Sequence, residues 1–390
     1  MKIALVHKRF DLRGGVERVL YKTAEGLRDR GHEVHLFCGR FSIPPPPGVF
    51  GHRVPSFHWP RTLRVLSFAF AAPRMVERHG CDLLLSFDRV VRQDIFRSGG
   101  GPHRSFIKKM IAQSSIWRRI WYTISPYHRC ALAIERIQVS PTGHRKIIAI
   151  SQQGKREFIE EYGVAGHNLT IIYNGVDVER FHPRNRERYA HKIRESLAIP
   201  PESRIVLFVG TGFRRKGLDR LLSLWTEQEA PDAHLVIVGN DAKLAYYRNV
   251  WGRSRIHFAG AQSRVEEFYG AADLLVLPSV QEAFGNVVLE ALASGLPVVT
   301  CAAVGAAESL EDELRGGIVA DSDGREGLRK KIDWGLDRER WTALSQLARR
   351  VAEKYSWENY FIRLEEQFEA LNEPAAALAQ SAHDPGPRGP

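Results

Sequence analysis

The chain has 390 residues, 44% of them hydrophobic, and a formal net charge of +11. This is room for two α/β domains with a core each, and no apolar run reaches the roughly 18 uncharged residues of a spanning helix, since Leu63 to Pro73 is too short and Val287 to Ala307 contains Glu290. Cys38, Cys81, Cys130 and Cys301 lie far apart with no C-x-x-C, against a zinc site or disulfide framework.

The opening MKIALVH lacks the length and cleavage site of a signal peptide, so a cytoplasmic location is expected. The charge is uneven: residues 1–185 carry 30 Lys+Arg against 15 Asp+Glu (+15), and residues 186–390 carry 26 against 30 (−4). Residues 34–76 and 95–134 contain no acid at all. A negatively charged partner of the first half is therefore expected: a membrane surface, a phosphorylated glycolipid or a nucleic acid.

In chain order, Lys2 to His7 is a buried-type strand, followed by a loop with Gly14-Gly15 and a helix over 16–30 that Gly31 ends. The G-x-G-x-x-G fingerprint is absent. The glycine pair fits either close backbone approach to a phosphate or a plain turn. Glu33 to Cys38 is a second strand, and Pro44 to Pro47 is expected to be an extended, exposed loop. A helix over 61–78 and strands over 82–87 and 94–98 lead to Gly99-Gly100-Gly101, which leave room for something close, with His103 at the rim as a structural, exposed or ligand-contacting histidine. From Arg104 to Arg129, Phe106, Ile107, Met110, Ile116, Trp117, Ile120 and Trp121 interleave with Arg104, Lys108, Lys109, Arg118 and Arg119. That pattern fits an interfacial segment on an anionic membrane, or a helical hairpin with its apolar face in the core. Lys146 to Ile150 is a strand, Ser151 caps a helix to Tyr162, and Leu169 to Tyr173 is the next strand. A polar stretch over 182–201 divides the chain.

The second half repeats the rhythm: strands over 204–209, 234–238, 255–259 and 273–277, with helices over 216–229, 242–251 and 263–271 between them. Strands alternating with helices of this length imply a parallel sheet with right-handed crossovers. After the first of these strands, Arg215 and Lys216 stand beside a helix start, where a forked and a point cation clamp a diphosphate, or else lie in a solvated loop. After the strand 273–277, the segment PSVQEAFGNVVLEALASGLP begins a helix expected over 283–293. Its first N–H groups, at Phe284, Gly285, Asn286 and Val287, suit an anion. Glu282 and Glu290 stand eight residues apart, and at about 1.5 Å per helical residue that is on the order of 12 Å. A sugar-diphosphate-nucleoside spans such a gap, one carboxylate meeting hexose and the other ribose hydroxyls. Two surface acids would read the same in isolation. Helices over 324–369 close the chain, and residues 373–390 are expected to be disordered.

Taken together, Gly14-Gly15, SQQGKREF (151–158), YNGVDVERFHP (173–183), VGTGFRRKG (209–217) and QEAFGNVVLEALASGLPVV (281–299) resemble the ordered signature of the family 4 retaining glycosyltransferases of GT-B fold. Within that family the chain looks most like the lipopolysaccharide core glucosyltransferases. The resemblance implies an α/β GT-B architecture: an acceptor domain over 1–185, a nucleotide-sugar domain over 186–356, two parallel sheets facing a cleft, and a helix over 357–372 crossing back to the first domain. It implies that Glu282 contacts the donor hexose and Glu290 the ribose. Arg215 and Lys216 would neutralise the departing diphosphate, and the amides of Gly14, Gly15 and of Phe284, Gly285, Asn286 and Val287 would hold phosphate and sugar. No metal is expected, nor any cofactor besides the donor, with UDP-glucose favoured. The family's acceptor-side Asp has no counterpart at Gly99 to Gly101, leaving His103 as the nearest polar candidate. The expected activity is transfer of a hexose, with retention, to an anionic glycolipid or lipopolysaccharide core, by an enzyme held at the inner face of the cytoplasmic membrane through residues 104–129. Its rivals are a GT-B nucleotide-sugar epimerase, which needs no acceptor, and an anionic-polymer binding protein, for which the sugar-site motifs would be superfluous. A nucleic-acid partner is not expected.

Overall fold

The computed structural model describes residues 1–372 except 12–13, 113–114, 226–232, 254, 281 and 321–322. The proposed tail, 373–390, lies outside the described residues.

The first half builds one parallel sheet. In chain order its elements are β1 (Lys2–His7), α1 (Gly15–Asp29), β2 (Glu33–Cys38), β3 (Phe50–Arg53), α2 (Arg61–Arg78), β4 (Leu83–Ser86), β5 (Ile95–Arg97), α3 (His103–Ala112), α4 (Ile116–Ile124), α5 (Pro126–Gln138), β6 (Lys146–Ala149), α6 (Gln152–Tyr162) and β7 (Leu169–Ile171). The strand order is β3-β2-β1-β4-β5-β6-β7, every pairing parallel. Its central strands are near-continuous Ile, Leu and Val because helices cover both faces and leave no side for polar residues. Ser151 caps α6, its hydroxyl accepting from the Gly154 N–H at 3.0 Å. The four-proline run is less exposed than expected. Pro46 is buried, and the chain beyond it adds β3 to the sheet edge, an FGHR strand too polar for its sequence to announce.

The second half follows with α7 (Asn185–Ser196), β8 (Arg204–Val209), α8 (Leu218–Leu224), β9 (Ala233–Val238), α9 (Leu244–Trp251), β10 (Ile256–Gly260), α10 (Val265–Ala271), β11 (Leu274–Leu277), α11 (Asn286–Ala293), β12 (Val298–Cys301) and β13 (Ile318–Val319). These strands form a second parallel sheet, ordered β10-β9-β8-β11-β12-β13. The helix expected over 216–229 begins later, at Leu218, and its far end falls partly outside the described residues. α12 (Gly324–Leu336), α13 (Arg338–Glu353) and α14 (Trp357–Asn372) complete the chain.

α14 lies against the first sheet's layer. Tyr360, Phe361, Leu364 and Phe368 are buried in one cluster with Leu20, Ala24 and Leu27 of α1. A Cβ on Gly26 would lie 1.9 Å from the Phe361 ring, so only glycine lets the two helices meet there. Four such apolar side chains contribute about 1.5–3 kcal/mol each on burial, and Thr23 Oγ1 and Tyr360 Oη share a buried hydrogen bond of 3.1 Å.

Candidate active site

Each sheet has one place where strand order reverses, β1/β4 in the first and β8/β11 in the second. Crevices for ligands open at the carboxyl ends of the strands flanking such a reversal. In the second sheet, the loop after β8 carries Arg215 and Lys216, and the loop after β11 carries Glu282 to Gly285. Close backbone contacts join the two loops. Gly217 is left-handed (φ 78°), and a Cβ there would stand 2.0 Å from the Pro278 carbonyl oxygen. The Ser279 hydroxyl donates to the Arg215 carbonyl at 3.1 Å.

This brings the two cations and the first acid together. Arg215 Nη1 lies 2.7 Å and Lys216 Nζ 3.7 Å from Glu282 Oε2. Arg215 is half exposed, whereas Lys216 is buried along Gly210. Burial pushes the Lys216 ammonium below its ordinary range, and Glu282 acts to hold it up.

The helix beyond starts later than the sequence suggests. Gly285, left-handed at φ 92°, is the cap, and α11 begins at Asn286, so Ala283 and Phe284 belong to the loop. The 12 Å spacing inferred for Glu282 and Glu290 assumed a helix between them and does not apply. The physical reason is Phe284: its ring is buried and its carbonyl accepts from the Ala306 N–H at 2.7 Å, holding Ala283 and Phe284 in a bend before the glycine turns. Glu290 faces the same cavity, one oxygen accepting from the Tyr269 hydroxyl at 2.8 Å. Burial raises its carboxyl above the ordinary range, and the Tyr269 hydrogen bond counters that.

A cavity of about 490 Å³ lies between the two sheets' loop ends. It is lined by Gly14, Gly15, Arg215, Lys216, Glu282, Phe284, Gly285, Asn286, Val287 and Glu290, so every residue singled out for the donor meets in one space. His103 does not line it. That histidine is buried in α3, its Nε2 3.1 Å from His128 Nδ1, and its backbone N–H donates to Glu135. Burial, with Arg89 and His128 nearby, draws its pKa down to about 3, so the imidazole is neutral under ordinary conditions.

Three residues of the cavity escaped the sequence reading. Asn174, in the turn after β7, donates to Asn286 Oδ1 at 2.6 Å and so ties the first half to the start of α11. Arg97 is 1% exposed, donates to Asn174 Oδ1, and brings a third cation to the wall. Arg18 of α1 lines the same wall. A charged residue inside the apolar strand 94–98 was the available signal for Arg97. For Arg18, one cation among several on an amphipathic helix, there was none.

Residues 13–180 match the family model described as Glycosyltransferase Family 4, and residues 190–354 match Glycosyl transferases group 1. In sequence the chain is 26% identical over 329 residues to the lipopolysaccharide glucosyltransferase WaaG of Escherichia coli K12, covering 82% of this chain and 85% of that protein. It is 27% identical over 379 residues to an uncharacterized glycosyltransferase of Methanocaldococcus jannaschii, covering 92% and 95%. The crystal structure of WaaG superposes with a TM-score of 0.76 at 23% identity, over 92% of this chain and 99% of that one. Anabaena HepE in complex with UDP-glucose does so with a TM-score of 0.69 at 19% identity, over 95% and 100%. The two-sheet architecture is that of GT-B structures, and no epimerase is among these relatives.

Proposed function

The chain belongs to the glycosyltransferases, a hexosyltransferase pairing a family 4 domain with a group 1 domain, and from that premise we propose that it moves glucose from UDP-glucose to an anionic glycolipid of the lipopolysaccharide core, with retention at the anomeric carbon and without a metal. The observation that carries this reading is the single cavity that gathers Arg215, Lys216, Glu282, Glu290 and the start of α11 opposite Gly14-Gly15. The UDP-glucose held by the HepE structure and the glucosyltransferase activity named for WaaG support the choice of donor.

The chemistry follows from charge. As the sugar–phosphate bond breaks, negative charge grows on the diphosphate, and preorganised cations and N–H groups in a water-poor cleft stabilise it. Arg215 and Lys216 supply the cations, and the N–H groups that open α11 supply the dipole end. In the free protein Glu282 holds the place of the anion. When the diphosphate takes over these cations, the Glu282 carboxylate is released to accept hydrogen bonds from the hexose hydroxyls. Glu290 holds ribose hydroxyls, with Tyr269 fixing its orientation. The departing phosphate oxygen takes the acceptor's proton on the face it leaves, which gives retention without a side-chain nucleophile. In this reading the two cations and the N–H groups take the part a divalent ion would otherwise play.

The membrane role falls to α4. Ile116, Trp117, Ile120, Trp121 and Ile124 are all exposed, Trp117 at 79%, alongside Arg118 and Arg119, and no residue of α4 is buried. An amphipathic helix with aromatic and basic residues outward lies in a bilayer interface. No helix of the described residues is long and apolar enough to cross a membrane, and the proposed place of the protein is on the inner face, where its substrate UDP-glucose is supplied.

The test is product analysis. Incubation with UDP-glucose and a lipopolysaccharide core oligosaccharide should yield an α-glucoside by NMR in the presence of EDTA. A β-linked product would overturn retention, and free sugar released equally without acceptor would favour epimerase or hydrolase chemistry.

A further inference from the structure

The reversal of strand order in the first sheet opens a second crevice, distinct from the donor cavity. His7 is the last residue of β1, Asp88 follows β4 by two residues, and Glu17 of α1 closes over both. His7 is 2% exposed. Its Nε2 lies 3.8 Å from Glu17 Oε1 and its Nδ1 3.6 Å from Asp88 Oδ2, and neither ring nitrogen has a hydrogen-bond partner among the described residues. A buried imidazole that meets two carboxylates at ion-pair distance but makes no hydrogen bond is an incomplete arrangement, because buried polar groups are ordinarily hydrogen-bonded.

The surrounding space is about 370 Å³, lined further by Arg89, His103 and Phe106 over a floor of Gly99 to Gly101. Val16 and Gly99 line this crevice and the donor cavity alike. A Cβ on Gly99 would stand 2.6 Å from Val16 Cγ2, so glycine is what allows the strand end to pass Val16 at the boundary of the two spaces. Both carboxylates are ionised. Contact with His7, and further Arg9, draws Glu17 to about 2 against the effect of burial. Burial alone would raise Asp88, but Lys8, His7 and Arg89 together hold it well below the carboxylate range. Ionised carboxylates only accept hydrogen bonds, and the imidazole brings two ring nitrogens beside them.

We propose that this crevice is the acceptor subsite and that it takes a sugar ring through adjacent hydroxyls, one donating to Asp88 or Glu17 and its neighbour bonding a ring nitrogen of His7. The inference rests on the glycosyltransferase reading above and adds to it the residues that recognise the acceptor. Phe87, Phe96 and Phe106 supply the apolar wall such a pocket sets beside its few polar groups. His103 then belongs to this side of the molecule, as a neutral wall residue.

The experiment uses His7→Gln and Asp88→Asn in the full chain, with UDP-glucose as donor and deacylated lipopolysaccharide core oligosaccharide as acceptor. Both variants should raise the acceptor KM about tenfold or more, since one replaces the imidazole and the other removes the carboxylate charge in a buried hydrogen-bonding site. The Kd for UDP-glucose, by calorimetry, should stay within about twofold of wild type, a readout that also shows each variant is folded. An acceptor KM unchanged in both variants would overturn the proposal, as would a parallel loss of UDP-glucose binding, which would assign the cluster to the framework or the donor side. A wild type that transfers glucose while the variants match it refutes the subsite alone. A wild type that neither binds UDP-glucose nor glucosylates the oligosaccharide refutes the functional reading itself.

Discussion

Glu282 is held by two cations, Arg215 and Lys216. Its bond to Arg215 is made by a half-exposed guanidinium, and such pairs contribute about 0–1 kcal/mol to stability. Glu282→Gln should therefore shift unfolding by less than about 1 kcal/mol in a denaturant titration. Turnover should fall by about 10²–10³, the cost of losing one preorganised group that meets the reacting sugar. Near-normal turnover would detach Glu282 from the donor. Lys216 differs, because it is buried and Glu282 supports its charge. The place of Arg215 and Lys216 in the loop after a strand was legible in the sequence. Its ion pair with Glu282, 67 positions away, was not, because no local pattern encodes which loop ends face one another.

At the scale of elements, α4 carries the sharpest prediction. Trp121 and Tyr122 of this nine-residue helix touch the His128 ring, yet none of its residues is buried and its five large apolar side chains lie on the surface. Trp117→Glu with Trp121→Glu should abolish co-sedimentation with vesicles of phosphatidylethanolamine and phosphatidylglycerol while transfer to a soluble core oligosaccharide persists. Unchanged co-sedimentation would remove α4 from the membrane role. The interleaved aromatic and basic pattern of this segment was visible in the sequence but fitted a buried hairpin equally well, and the exposure of Trp117 speaks against the buried face. The start of α11 shows a limit of a different kind. Residues 283–293 have helical spacing, yet Gly285 in the left-handed region and the buried Phe284 ring delay the helix by three residues. A position that only backbone geometry and a distant partner such as Ala306 decide leaves no mark in periodicity.

The molecule as a whole is two doubly wound sheets whose switch points each open a crevice, tied by Asn174 to Asn286, by the Glu308 carboxylate accepting from the N–H groups of Gln152 and Gln153 at 2.7 and 3.1 Å, and by α14 returning to α1. The alternation of strands and helices was readable because parallel strands are apolar runs bounded by Gly and Pro, and α14 because Trp357, Tyr360, Phe361, Leu364 and Phe368 share one face. Strand order and the pairing of cavity walls come from long-range packing, so β3, Arg18 and the His7 cluster emerged only from the fold. Among possible measurements, calorimetric titration of UDP-glucose into wild type and Lys216→Ala in EDTA bears most directly on the shared cavity. The account predicts binding by the wild type without added metal and an affinity loss of about tenfold or more in the variant, the effect of removing one charged hydrogen-bonding partner of a buried phosphate. Equal affinity in the two proteins, or wild-type binding only after a divalent ion is supplied, would contradict it.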